Sequence, residues 1–305
     1  MTNDSRKRID MQSQDYLANL GLPRGDLYDL PSSNQRFGDG DEFHIEIPST
    51  EGPAAFAAVL DEAKKRHVRI HRISQGSGIW MLTDDELRQM VEMGEANNVE
   101  VCLFVGPRAS WDTGIQVSSP GGSIVAGSLR GADQLGFGIQ EVIHACDLGL
   151  RSVLVSDLGQ LSVLGKLKAL GDLPTDLVLK VSASLPVANP ATARLLEDIG
   201  ATTLNLAVDL ALPALAAIRA AITLPIDLYI ESSDDFGGVM RYYEIPEIVR
   251  ITAPVHLKFA VRNSAGVYPS GGHLQEHVER LARERVRRAQ LGLSMLDRAK
   301  VEQTI

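Results

Sequence analysis

In FHIEIP (43–48), Phe43, Ile45 and Ile47 alternate with His44 and Glu46. A period of two is the signature of a strand, with apolar side chains on one face and polar ones on the other. The same alternation recurs in DLVLKVS (176–182), ATTLNLAVD (201–209), PIDLYIES (225–232) and VHLKFAVRN (255–263). HVRIHRI (67–73), VEVCLFV (99–105) and RSVLVSD (151–157) read as further strands. Each strand precedes a stretch of helical periodicity. Two helix starts are clear: Thr83 and Glu86 form a capping box, and Asn189 with Pro190 forms an N-cap followed by proline at the first helical position.

Eight strand–helix pairs in succession predict an α/β fold, a closed (β/α)8 TIM barrel spanning 43–305. An open doubly wound sheet is the rival, and it calls for strands that are apolar on both faces. Here one face of at least five strands is polar. In a closed barrel that face lines the interior, so the pattern favours the barrel. Residues 1–42 fall outside the repeat. They are rich in Gly, Pro, Asp and Ser and read as an extended N-terminal arm with one short helix at 10–20, capping the barrel floor or bridging the subunits of a homo-oligomer.

Composition narrows the function. The chain has 305 residues, 44% hydrophobic and 23% charged, with a net charge of −9. That balance speaks against a nucleic-acid or anionic-membrane partner, both of which need clustered positive charge. The N-terminus lacks the apolar core of a secretory signal, and no run is long enough to span a membrane. Cys102 and Cys146 are the only cysteines. Together these features predict a cytoplasmic protein with buried, unpaired thiols.

Barrel active sites sit at the C-terminal ends of the strands. The ionisable or polar residues predicted there include Glu46, Arg72, Gln75, Arg108, Asp157, Lys180, Asn205, Glu231, Lys258 and Arg262. Buried charges are costly unless paired, so this set forms either a structural ion network or a site for a charged ligand. Lys258 and Arg262 are the natural holders of a small anionic substrate, a carboxylate or phosphate, with Arg72, Gln75, Arg108 and Asn205 as further binding residues. Lys180 reads as a Schiff-base nucleophile or as a lysine salt-bridged to Asp157 or Glu231. Glu46, Asp157 or Glu231 could act as general base, or could bind a divalent metal with His44 or His71. No metal-binding spacing such as HExxH is present. His273 and His277 read as surface or capping residues.

Three loops carry further signals. The segment after the third strand runs about thirty residues before the next helix, a length typical of lids and binding loops. Arg108, Trp111 and Asp112 lie near its base. The loop in HRISQGSGIW is Gly/Ser-rich but lacks a nucleotide fingerprint. ESSDDFGG is acidic and reads as a solvated loop or a metal or amine contact. The basic run ERLARERVRRAQ is broken by glutamates and reads as a solvated helix face.

KVSASLPVANPATARLLEDIGA, TTLNLAVDLALPALAAIRA and LPIDLYIE together resemble a stretch of the collagenase-like peptidases, family U32. LKFAVRN resembles that family's L-K-I-E-G-R segment, with Lys258 and Arg262 on its Lys and Arg and Ala260 on its Glu. The resemblance implies a barrel enzyme. The family's cysteine cluster, associated with an iron–sulfur cluster in several members, is replaced here by ESSDDFGGVMRYYE. That departure argues against an iron–sulfur cofactor, and no catalytic triad supports proteolysis. The combined expectation is a barrel enzyme acting on a small anionic molecule by lyase, aldolase or hydrolase chemistry. The alternative is a non-catalytic binding or scaffold barrel.

Overall fold

The structure is a computed structural model describing residues 13–111, 114–120, 122 and 125–302. After helix α1 (Ser13–Asn19) the chain lays down eight parallel strands: β1 (Phe43–Pro48), β2 (Arg72–Gln75), β3 (Glu100–Phe104), β4 (Ser152–Val155), β5 (Val178–Val181), β6 (Thr203–Asn205), β7 (Ile226–Glu231) and β8 (Val255–Phe259). They close in sequence order, with β8 pairing β1 through Phe43–Val255 and Glu46–Lys258. The predicted (β/α)8 TIM barrel is the observed fold.

One helix follows each strand: α2 (Pro53–Arg66), α3 (Asp84–Asn97), α4 (Gly131–Asp147), α5 (Leu158–Leu170), α6 (Pro190–Asp198), α7 (Leu212–Ala221), α8 (Ile245–Thr252) and α9 (Gln275–Glu302). The two sequence-predicted starts are made as expected. Thr83 Oγ1 accepts from Glu86 N while Glu86 Oε2 accepts from Thr83 N, and Asn189 Oδ1 accepts from Thr192 N. The core lies between strands and helices: Ile45, Ile47, Leu179, Val181, Leu228, Leu257 and Phe259 are buried beneath the helical ring. Their alternation partners fill the interior.

Two strand ends differ from the sequence pattern in ways that matter for the site. β8 stops at Phe259, because the Ala260 amide donates to the Glu231 carbonyl and the Arg262 amide to the Glu231 side chain. β7 carries a register shift between Tyr229 and Glu231, and such irregularities re-aim side chains at barrel rims.

The arm runs across the N-terminal end of the barrel. Leu27 N donates to Pro213 O, Ser33 N to Arg250 O and Ser33 Oγ to Ala253 O, while Phe37 stacks on His44 with ring centroids 3.7 Å apart. Through these contacts its described part packs against the floor. Residues 10–12 of the expected helix lie outside the described residues. No described helix is long and apolar enough to cross a membrane.

Candidate active site at the barrel mouth

The barrel interior holds a sealed charge network with an open cavity above it. At its centre stands Glu46, fully buried on β1. It accepts from Ser74 Oγ at 2.6 Å, pairs with Lys180 Nζ, and lies 3.2 Å from Lys258 Nζ and 3.4 Å from Arg72 Nη1. Burial pushes the Glu46 carboxyl upward, but Lys180, Lys258 and Arg72 outweigh it and hold it far below the usual carboxylate range. Asp227, also fully buried, accepts from Arg72 at 2.8 Å and Thr203 at 2.7 Å, with His256 Nδ1 at 2.9 Å. It too is ionised against its burial, by Lys180, Arg72 and His256. Burial pulls the Lys180 ammonium below the ordinary lysine value, opposed by Asp227 and Glu46.

Above this network a cavity of about 360 Å³ opens at the C-terminal ends of the strands. Lys258, Asn205, Ser74 and Ser182 give it a polar floor; Phe104, Leu154, Trp111 and Tyr229 give it apolar and aromatic walls. Lys258 Nζ donates to Asn205 Oδ1 at 2.6 Å and sits 4.3 Å from the Tyr229 ring centroid. Asn205 in turn donates to the Val181 carbonyl at 2.6 Å, so the ammonium is held by a fixed acceptor. On the wall, Arg108 lies between two rings, 3.6 Å from Phe104 and 3.8 Å from Trp111, and donates to Gly76 O. Burial lowers its pKa to about 10, so it stays cationic at neutral pH. Tyr268, from the loop after β8, closes over Gly76; a Cβ there would lie 2.4 Å from the ring, which explains glycine at this position. Asp235 is the carboxylate at the cavity rim and makes no hydrogen bond or ion pair among the described residues.

The sequence-predicted residues therefore divide. Lys258, Asn205, Arg108 and Gln75 line the cavity, although the Gln75 amide is held at both ends by the Gly78 backbone. Glu46, Lys180 and Arg72 converge beneath it, and Lys180 is fully buried. Asp157 does not line the cavity. It caps α5 through Gln160 N at 2.8 Å and accepts from Leu129 N. The expected salt bridge from Lys180 to Asp157 or Glu231 is replaced by Glu46 and Asp227.

Glu231 and Arg262 depart furthest from expectation. The β7 register shift takes Glu231 off the cavity lining and onto Tyr242 Oη at 2.6 Å, the Arg262 amide at 2.9 Å and Arg288 of α9 at 3.6 Å. Arg262 lies past the end of β8, half-exposed, with Nε 3.2 Å from Asp234. It does not enter the barrel.

The candidate metal ligands do not assemble at the mouth either. Among the described residues Asp41, His44 and His71 bring ligand atoms within 4.8 Å of one another, at the opposite, floor end. The two imidazoles stack face to face, centroids 4.1 Å apart at 6°, so their in-plane lone pairs run parallel rather than converging on one ion. His71 Nδ1 already accepts from Ile45 N at 3.0 Å, and burial lowers the ring to a pKa of about 3. That neutral ring carries its proton on Nε2, which leaves no lone pair there. Phe37, His44 and His71 form a stacked plug under the barrel instead.

Two residues of the cavity lining, Asp235 and Tyr268, and one beside it, Arg285, were not singled out individually by the sequence. Asp235 and Tyr268 sit in loops whose reach depends on tertiary closure. Arg285 overturns an expectation: it belongs to ERLARERVRRAQ, read as a solvated helix face, yet it is buried on the stripe Val278, Leu281, Ala282, Arg285, Ala289 of α9, an apolar spacing that runs through the basic one. Asp112 lies outside the described residues.

No protein-family model matches the chain, and no curated protein matches it significantly. Solved structures do match. The YdjI aldolase from Escherichia coli K12 is 15% identical, with a TM-score of 0.50 over 82% of this chain and 91% of that one. The U32 peptidase Mk0906 is 16% identical, with a TM-score of 0.39 over 62% and 69%. The thiamine phosphate pyrophosphorylase from Pyrococcus furiosus is 11% identical, with a TM-score of 0.45 over 84% and 98%. At these identities the aldolase match establishes the barrel architecture and no reaction.

Proposed function

We propose that the chain is a TIM-barrel enzyme that binds a small anionic substrate in the mouth cavity and acts on it by lyase or aldolase chemistry. One observation carries the reading: Lys258 presents an ammonium on the floor of a cavity of about 360 Å³, fixed from the side by Asn205 and from below by Glu46. A cation held there, at the edge of a low-dielectric interior, stabilises charge developing on a substrate carbonyl or carboxylate oxygen. Arg108, on the wall, is the second cation facing the same space. Asp235 is the rim carboxylate without a partner among the described residues and takes the proton-transfer role. Glu46 is unsuited to that role, because three cations and the Ser74 hydroxyl hold it ionised and shielded.

Hydrolysis gains less support: the Ser74 hydroxyl in the floor meets only the Glu46 carboxylate, which three cations already hold, and the Ser49 hydroxyl meets only the Tyr268 hydroxyl. The alternative of a binding barrel without catalysis draws on the network under the cavity, whose carboxylates are satisfied by protein groups alone. A thermal-shift screen of small oxo- and hydroxy-acids, phosphorylated and not, identifies ligands. Turnover of a screened ligand that falls at least a hundredfold in Lys258→Ala supports the enzyme. Equal turnover in Lys258→Ala, or ligand binding with no turnover of any compound, sinks it.

A further inference from the structure

Beside the mouth lies a second, smaller cavity of about 40 Å³, roofed by the loop that follows β8. Its charged wall is Arg285 of α9, only 3% exposed. A guanidinium this deep is expected to meet a carboxylate, because an unpaired buried charge forfeits its hydration with nothing in return. Arg285 meets none. Nη1 donates to the Ser49 carbonyl at 2.8 Å, and that is its single hydrogen bond among the described residues; Nε is sealed from solvent without a partner. Glu51, a buried carboxylate on the same side of the barrel, is already engaged by the amides of Gly76 at 2.7 Å and Ser77 at 3.1 Å.

The other walls are suited to an anion. The loop Ser264–Gly266 lines the roof, and its backbone amides make no protein hydrogen bond among the described residues; with Ala265 and Gly266 exposed, they are hydrated donors that an anion can take over. Asp234 is neutralised by Arg262 at 3.2 Å and by the Asn263 amide. Asp235 opposes an anion but is exposed at the rim, where solvent screens it. A volume of about 40 Å³ exceeds the ~10–15 Å³ one water needs and suits a compact oxyanion. Ser49, Asp235 and Tyr268 line both this cavity and the mouth, so the two spaces adjoin.

We infer that Arg285 and the Ser264–Gly266 loop form an oxyanion subsite, which takes a carboxylate or phosphoryl group of the molecule whose reacting end lies against Lys258. The inference rests on the mouth being the substrate site and narrows the substrate to one with an anionic group remote from the reacting centre. Arg285 anchors that group through charge and a planar fork of donors; Lys258 serves the chemistry.

Calorimetric titration of inorganic phosphate and, separately, acetate into the wild type, Arg285→Gln, Arg285→Lys and Lys258→Ala tests this. The wild type is expected to bind one probe, phosphate if the group is phosphoryl and acetate if it is a carboxylate. Binding should weaken about tenfold to a hundredfold in Arg285→Gln, less in Arg285→Lys, and persist in Lys258→Ala. If Arg285→Gln does not fold, Arg285→Lys decides: weakened binding supports the subsite and unchanged binding overturns it. Wild-type protein that binds neither probe, or Arg285→Gln that binds as the wild type does, also overturns it. Loss in Lys258→Ala with Arg285→Gln unaffected moves the anion to Lys258, removing the subsite while leaving the mouth reading intact. Retained probe binding in a Lys258→Ala protein with undiminished turnover does the reverse.

Discussion

The lower interior and the mouth are built from the same residue types, yet they are wired differently. Below, Glu46 and Asp227 each meet several donors, and Lys180 and Arg72 are closed in by them. Above, Lys258 holds one neutral acceptor and shares one carboxylate, Asp235 has no partner among the described residues, and Arg285 has a lone carbonyl. Charge in the interior therefore signals little about ligands once its partners are counted. Charge left without partners a few ångströms higher is where a ligand gains most, since the protein has already borne the desolvation of those groups.

The sharpest way to break that contrast is to remove the hub of the lower network. Glu46→Ala removes the carboxylate shared by Lys180, Arg72 and Lys258, leaving Asp227 to serve the first two and Lys258 with none, and destabilisation of about 3–5 kcal/mol is expected in urea unfolding. Removing Lys180 as well, in Glu46→Ala/Lys180→Met, should recover part of that loss; a double variant no more stable than the single one would show that the network is not a closed unit.

The next effect is in pH. His256 is buried and its pKa lowered to about 4 from 6.5, by burial and Arg72 against the pull of Asp227. The folded state thus disfavours the proton that the unfolded chain takes up. Stability from this group is full above about pH 6.5 and is lost as pH falls toward 4, at up to about 1.4 kcal/mol per pH unit. The thermal midpoint of His256→Asn should fall less steeply than that of the wild type over this window. Parallel curves would show that His256 is not the group responsible.

A smaller effect is expected at the mouth. Gly76→Ala pushes on the Tyr268 ring and should cost about 1–3 kcal/mol by overpacking, while weakening ligand binding in the mouth cavity. Smallest of all, Arg262→Ala removes a half-exposed ion pair and should alter stability by no more than about 1 kcal/mol, with mouth ligand binding retained. A large loss of binding in that variant would return Arg262 to the site where the alternating pattern had put it.

Much of the barrel could be read in advance because its signals are local and repetitive. The eight alternations, the capping box at Thr83 and the cap at Asn189 all depend on neighbours within a few residues. Lys258 and Asn205 were legible for the same reason: they occupy inward positions of regular strands. Glu231 and Arg262 were not, because extrapolating a period of two fails where β7 shifts register and β8 ends. Asp157 was misplaced because a carboxylate at a strand end serves equally well as the N-cap of the following helix.

By itself, then, the amino-acid sequence determined the architecture and the inward face of each regular strand, since periodicity and capping are short-range properties. Which charges neutralise one another across the barrel, between residues as distant in the chain as Glu46 and Lys180, was decided only by closure of the sheet. The same closure set which loops approach the mouth and buried Arg285 beneath one of them. Electrostatic partnership acts over a few ångströms of space, and no spacing along the chain records it.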